Sequence, residues 1–285
     1  MPELISVSGS GFVLFTAAIL GLCIGSFLNV VIHRLPVMME RHWQGQTGTE
    51  PNDRYDLLTP PSACPGCGTQ IRAWQNIPLI SFLLLRGQCA NCGERISLRY
   101  PLVELLGALI ALFAVFVAGD WLELVAILVF SYSLLALFFI DLEKYLLPDI
   151  ITLPLLWAGL LFNISANFAP LDDAVIGAAA GYGSLWLMFQ LFRLLTGKEG
   201  LGYGDFKLVA AIGAWLGWQV LPLVILLGSF SGAIIGGVYL ALSRHGRDHP
   251  IPFGPFLALA GWIAMFWGEL LINEYLQFAG FRTRF

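Results

Sequence analysis

The chain has 285 residues, of which 58% are hydrophobic and only 12% charged, with a formal net charge of −4. A soluble globular protein carries about 25% charged residues, so half that supply excludes a surface bathed wholly in water. The negative balance excludes the basic footprint of a nucleic-acid-binding protein. The apolar residues come in long blocks, and the expected fold class is an all-α polytopic membrane protein in a lipid bilayer.

About 20 apolar residues cross a hydrocarbon core about 30 Å thick. In chain order the predicted spans are 11–32, 101–118, 121–140, 150–168, 174–195, 206–218, 220–242 and 255–278, about eight transmembrane helices. The first lacks a basic leading region and is too long for a cleavable signal core. Fused with its successor, the short segment 206–218 would make one helix of about 55 Å. Gly217-Trp218-Gln219 and Pro222 are therefore read as a turn. The expected division is a first transmembrane helix in 1–33, a cytoplasmic insert in 34–100, and a membrane-embedded core of about seven helices in 101–285.

Lys and Arg collect in cytoplasmic connections. Arg34, Arg41, Arg54, Arg72, Arg86, Arg95 and Arg99 lie between spans one and two, and Lys144 follows span three. Arg193, Lys198 and Lys207 surround the gap between spans five and six, and Arg244 and Arg247 follow span seven. Eight spans thus put 13 of the 15 basic residues on one side, with the N-terminus on the other; only Arg282 and Arg284 break the rule.

The insert holds Cys64-Pro-Gly-Cys67 and Cys89-Ala-Asn-Cys92, each followed by glycine. Paired knuckles of this spacing suit four thiolates around a tetrahedral structural Zn²⁺, with no open position for chemistry. Two disulfides or idle thiols are the competing reading, and a reducing cytoplasm disfavours disulfides. Cys23, in span one, is expected to be a packed, inert thiol.

Ionisable groups at membrane depth are costly and informative. Asp141 ends span three, and Asp205 opens span six within Gly202-Tyr203-Gly204-Asp205. Two crossings separate them, so both fall at the cytoplasmic edge. Two close carboxylates sharing a proton can hydrolyse a peptide bond, one activating water while the other polarises the carbonyl. Alternatively Asp205 is a helix cap and Asp141 a solvated end group; the residues alone leave both readings open. Asp149 is expected to cap span four, and Glu143 to be solvated. Glu104, one turn into span two, is either paired with a cation or part of a site. Asn29, His33 and Arg34 end span one as interfacial residues or as helpers of a second activity, Arg34 snorkelling in the first case.

Six blocks in order resemble the bacterial type IV prepilin peptidases, GxGD intramembrane aspartyl proteases. They are Gly25-Ser-Phe-Leu-Asn-Val-Val-Ile-His-Arg-Leu-Pro36, the paired CxxC insert, Tyr100-Pro-Leu-Val-Glu104, the Phe139-Ile-Asp141 to Pro148-Asp149 block, Gly202-Tyr-Gly-Asp205 and Pro252-Phe-Gly-Pro255-Phe. The resemblance implies that Asp141 and Asp205 are the catalytic pair. It implies cleavage, after a glycine and on the cytoplasmic side, of the basic leader of type IV prepilins or type II secretion pseudopilins. It further implies N-methylation of the new N-terminal residue with S-adenosylmethionine, in a multi-pass protein of the bacterial inner membrane with a periplasmic N-terminus. Tyr203 departs from the Met common in the family, leaving the carboxylate and both glycines in place. No Gly-rich cofactor motif is legible in 34–99, so the residues holding the methyl donor are unassigned, as is the oligomeric state. A transporter or channel with a regulatory zinc insert is the alternative. The clustering of acids at one face and the lack of an internal repeat argue against it.

Overall fold

The computed structural model describes residues 10–46, 54–165, 167–198, 200, 202–242 and 251–278. Among the described residues the regular structure is helical, apart from two isolated β-bridges, Ala63 with Gln70 and Gln88 with Arg95. Arg244, Arg247, Arg282 and Arg284 of the predicted topology lie outside the described residues. The chain divides into two compact units, residues 1–132 and 133–285.

The first unit holds α1 (Gly11–Gln46), a 3₁₀ turn (Ala73–Asn76), α2 (Ile80–Leu84), α3 (Arg99–Val117) and the first half of α4 (Trp121–Lys144). The pair α1 and α3 is its frame. Gly21 and Gly25, one helical turn apart, let the backbones meet: a Cβ on Gly21 would lie 2.6 Å from the Gly107 carbonyl oxygen, and one on Gly25 2.7 Å from Glu104 Cα. This is the small-residue packing that membrane helices use where no hydrophobic force distinguishes lipid from protein. The Tyr132 hydroxyl donates to the Gly107 carbonyl at 2.9 Å and ties α4 to the same spot.

Helix α1 is longer than predicted. It runs through Pro36 to Gln46, 36 residues and about 54 Å, well past a hydrocarbon core. Proline disfavours a helical residue before it and removes a donor, which is why the sequence reads as a stop there. Tertiary contacts override that preference. Arg34 is buried and donates to the carbonyls of Asp56 (3.0 Å) and Pro60 (2.6 Å), while Arg41 lies 4.2 Å over the Tyr55 ring. Arg34 is therefore a clamp on the insert and does not snorkel. Asp56 stiffens the same loop by accepting from the backbone N–H groups of Thr59 and Leu58 and from Arg54, which hold its carboxyl far below the usual range.

The second unit holds the rest of α4, then α5 (Asp149–Phe162), a 3₁₀ turn (Asn163–Ser165), α6 (Leu171–Thr196), α7 (Tyr203–Leu216), α8 (Leu221–Leu242) and α9 (Gly254–Phe278). The eight predicted spans each coincide with a helix. Six of these are long and apolar enough to cross a membrane; α5 and α7, at 14 residues each, are shorter. The reason lies in the packing. Helix α7 contacts α5, α6 and α9, and every residue from Asp205 to Leu216 except Lys207 is buried. A helix surrounded by protein has no need to match the bilayer thickness. The expected turn at Trp218 is present, with Gly217 at φ 80°.

One end of this unit is sealed by Asn163, which is fully buried. Its Nδ2 donates to the carbonyls of Ala214 (3.0 Å) and Trp215 (2.8 Å), and its Oδ1 accepts from Phe168 (3.1 Å) and Ala169 (3.2 Å). The last carbonyls of α7, which have no partner within their helix, are thereby satisfied. Nearby, Trp218 and Gln219 both donate to the Asp173 carboxylate, at 2.9 and 2.8 Å. Asn163→Leu would leave four backbone groups, three of them in buried residues, without these partners. The expected loss is about 3 kcal/mol or more, read as a lower thermal unfolding midpoint in detergent; an unchanged midpoint would refute this role.

Candidate functional site

The opposite end of the second unit gathers the acids. Helix α4 arrives there and ends at Lys144, where Tyr145 at φ 55° donates to the Asp141 carbonyl at 2.9 Å and turns the chain. Helices α5, α7 and α9 all start at this end. Asp141 is 6% and Asp205 7% exposed, so neither is a solvated end group. Leu147 brings the two together, packing both on Gly254 beside Asp141 and on Gly204 next to Asp205.

One backbone N–H grips each carboxyl. Gly254 N–H, at the start of α9, donates to Asp141 Oδ2 at 3.0 Å; Gly202 N–H donates to Asp205 Oδ2 at 3.2 Å. Asp205 is the third residue of α7, and this hydrogen bond does cap the helix. Capping occupies one oxygen only. Neither Oδ1 has a hydrogen bond among the described residues, so each carboxyl keeps an oxygen for water or a substrate. Glycine is required at two walls of the site. A Cβ on Gly254 would lie 2.6 Å from Asp141 Oδ2, and one on Gly204 2.8 Å from Leu147 Cβ.

The site is recessed. Tyr203 and Phe206, at the start of α7, pack on Phe189 of α6 with ring centroids 5.4 and 5.7 Å apart. Helix α6 continues beyond Phe189 to Thr196, about 10 Å further along its axis. Asp205 therefore lies about 10 Å or more below the end of its neighbouring helix.

Other predicted residues fall elsewhere. Asp149 is the first residue of α5, with Pro148 as the cap, and pairs with Lys207 Nζ at 2.7 Å. Glu143 is exposed. Glu104 belongs to the first unit, where its Oε2 accepts the Leu79 N–H at 2.9 Å. Asn29, also in that unit, is buried and donates to the Tyr100 carbonyl at 3.0 Å. Cys23 is exposed on α1, where a packed thiol was expected.

The four insert cysteines converge: their sulfurs all lie within 4.8 Å of one another, and Cys64 Sγ and Cys92 Sγ are 3.7 Å apart. A tetrahedral ion with Zn–S bonds of about 2.3 Å would need sulfurs about 3.8 Å apart. Each knuckle is a small hairpin. Cys64 N–H donates to the Thr69 carbonyl and Gly68 N–H to the Cys64 carbonyl; Cys89, Glu94 and Gly93 repeat the pattern. Gly68 and Gly93 close the turns at φ 68° and 75°, a conformation that favours glycine. The Thr69 hydroxyl, its backbone N–H and the Asn91 amide bring the Cys67 thiol down to about 6. Cys92 is pushed up to about 12: the Glu94 backbone N–H opposes this, but desolvation and the Cys67, Cys89 and Cys64 sulfurs outweigh it. Four crowded thiols cannot all ionise unless a cation neutralises them. This cluster could hold a metal ion.

Sequence reasoning missed Gly254, whose N–H orients Asp141, and the Lys207–Asp149 pair. Gly254 lies in Pro252-Phe-Gly-Pro255-Phe, but nothing local tells which distant carboxyl its N–H meets.

Residues 19–118 match the bacterial peptidase A24 N-terminal domain, and residues 128–237 match the type IV leader peptidase family. Over 278 residues the chain is 54% identical to the prepilin leader peptidase/N-methyltransferase of Pseudomonas aeruginosa, covering 95% of this chain and 96% of that protein. Proteins of the same name from Aeromonas salmonicida and Legionella pneumophila are 55% and 44% identical, over 90% and 94% of this chain and 91% and 96% of their own. No solved structure matches the chain.

One metal ion per chain is expected in protein purified without chelator, counted by plasma mass spectrometry. Cys64→Ser should lower that count well below one; full occupancy in this variant would rule out the four-sulfur site.

Proposed function

Because the chain belongs to the type IV leader peptidase family, we propose that it cleaves the leader from prepilins or pseudopilins with Asp141 and Asp205 as its catalytic pair. The observation that carries this reading is the convergence of two buried carboxyls, distant in sequence, at one recessed end of a helical unit. Each is oriented by a backbone N–H and each has an uncommitted oxygen.

One carboxylate takes a proton from water while its protonated partner donates to the scissile carbonyl. Burial in a poorly polarisable site keeps two like charges from coexisting there, so one shared proton is the favoured state. The recess suits a substrate whose apolar segment lies in the bilayer and whose basic leader stays in water. Cleavage follows a glycine, a residue that leaves the helix cheaply, and the strand around the bond is extended when it meets the carboxyls.

The basic residues favour an inner-membrane protein with this end facing the cytoplasm and the N-terminus in the periplasm. The cysteine cluster holds Zn²⁺ through Cys64, Cys67, Cys89 and Cys92, with no position left for substrate, and staples the insert. The second activity is N-methylation of the freed amine with S-adenosylmethionine, supported by the names of the relatives. The methyl donor supplies an electrophilic carbon that the amine nitrogen takes; the carbon–sulfur pair stays on sulfur and the nitrogen releases a proton to water.

Asp141→Asn and Asp205→Asn are each expected to lower leader cleavage by at least about 10³-fold while the purified protein keeps its thermal midpoint. Near wild-type cleavage by either variant would end this assignment. Asp149→Asn loses only the partly exposed Lys207 pair. It is expected to cost less than about 1 kcal/mol of stability, measured as a small shift in the thermal midpoint.

A further inference from the structure

The two cysteine knuckles enclose an excursion of the chain, from Gly68 to Gln88, that leaves the four-sulfur cluster and returns to it. Its far part is apolar and uncovered. Trp74, Ile77 and Ile80 are exposed, and Leu83 and Leu84 of α2 reach 73% and 71%. The other face of α2 is occupied: Ser81 is buried, and Phe82 and Leu85 line the cavity between α1, α3 and the insert. So many large apolar side chains in one short exposed segment mark an interaction surface.

Depth decides what covers it. Helix α3 rises about 28 Å, no more than a hydrocarbon core requires, so Arg99 stands at one edge of the bilayer. Glu104 lies about 7 Å further in along the axis, and its Oε2 accepts the Leu79 N–H at 2.9 Å. A helical side chain leans back toward the start of its helix, which puts Leu79 at the level of the first turn of α3. Leu79 leads directly into α2. At the same level α3 itself exposes Leu98 and Leu102. Leu79 and Arg86 flank α2 with left-handed backbone, at φ 57° and 52°. Strained turns of that kind persist where their surroundings hold them, and buried Glu104 is the hold at the first. Charge agrees with depth. From Leu57 to Gly93 the sequence has no Asp or Glu; its charges are Arg72 and Arg86, both exposed, one on each side of the apolar stretch. Trp74 adds the amphipathic ring common at headgroup level.

We propose that residues 74–84 are an interfacial membrane anchor, laid into the leaflet beside α1 and α3 with Arg72 and Arg86 on anionic phospholipid headgroups. Ile80, Leu83 and Leu84 enter the upper acyl chains, while Ser81, Phe82 and Leu85 keep α2 on the insert. A soluble protein partner could not reach side chains at this depth without displacing lipid. The insert is thus held to the bilayer at a third place besides α1 and α3, and the cysteine cluster closes the base of the loop that dips.

The test uses the full-length protein in lipid nanodiscs, with a benzophenone amino acid in place of Leu84 and, separately, of Ile80. Irradiation and mass spectrometry should find phospholipid adducts at both positions, as at Leu105 on the exposed side of α3. Leu58 is the control. It is 84% exposed, but its loop is clamped by Arg34, about 7 Å outward of Asn29, which bonds the Tyr100 carbonyl at the bilayer edge; a probe there should yield no lipid adduct. The yield at Leu84 should rise several-fold when phosphatidylglycerol replaces part of the phosphatidylcholine, and Arg72→Gln with Arg86→Gln should abolish that rise. An unchanged thermal midpoint reports that each variant is folded; where one probe disturbs the fold, the other position decides. Three results overturn the anchor: adducts on protein in place of lipid, equal yields at Leu58 and Leu84, or no lipid adducts at Leu84 and Ile80 while Leu105 is labelled. A yield indifferent to headgroup charge overturns the role given to Arg72 and Arg86.

Discussion

Where α6 meets α7, Gly177 faces Gly213 with no side chain between them, and Gly181 meets Val209 and Ala210 in the same way. Contact this close, backbone on backbone, is available only to residues without a Cβ. It fixes both the depth and the rotation of α7, because a helix seated on a flat glycine stripe can neither slide nor turn without a clash. Asp205 sits two turns from that stripe on the same rigid rod. The far end of the rod is pinned by Asn163 and by the Trp215 Nε1 donating to the Leu155 carbonyl at 2.8 Å. A carboxyl held at both ends of its helix is preorganised, and the chemistry proposed for it needs little reorganisation when a substrate arrives.

Much of this was readable in the residues, for identifiable reasons. Apolar blocks of about 20 residues report helices because a bilayer leaves backbone groups no partner but their own chain. The length argument that split 206–242 at Trp218 was sound for the same reason. Parity of crossings placed Asp141 and Asp205 at one end before any coordinates. The knuckle spacing announced a four-sulfur cluster because ligand and turn are neighbours in sequence.

Other features depend on contacts between distant segments, which a local pattern does not contain. Pro36 reads as a helix stop, and only Arg34 on the 56–60 loop and Arg41 on Tyr55 explain why α1 continues. Gly254 falls just before the predicted span 255–278, and only its N–H on Asp141 shows what it does. The spaced glycines at 21, 25, 177 and 181 did carry a legible signal, the one-turn repeat of packed membrane helices, and it could have paired α1 with α3 and α6 with α7. Nothing local would have told that Asn29 is buried on the Tyr100 carbonyl.

The shortness of α7 has a consequence for the membrane itself. Water must reach Asp205 from the recessed end, yet from Leu208 to Leu216 the helix is enclosed, about 13 Å of it. Below that, Trp215 is flanked by the rings of Phe162 and Phe168 at 5.4 and 5.7 Å, and Asn163 donates to the Ala214 and Trp215 carbonyls. The buried stretch of α7 beyond the carboxyls is a plug within the second unit. A hydrolase can thus admit its co-substrate from one compartment while remaining an insulator, so that its wet pocket does not discharge the ion gradient across the bilayer that houses it.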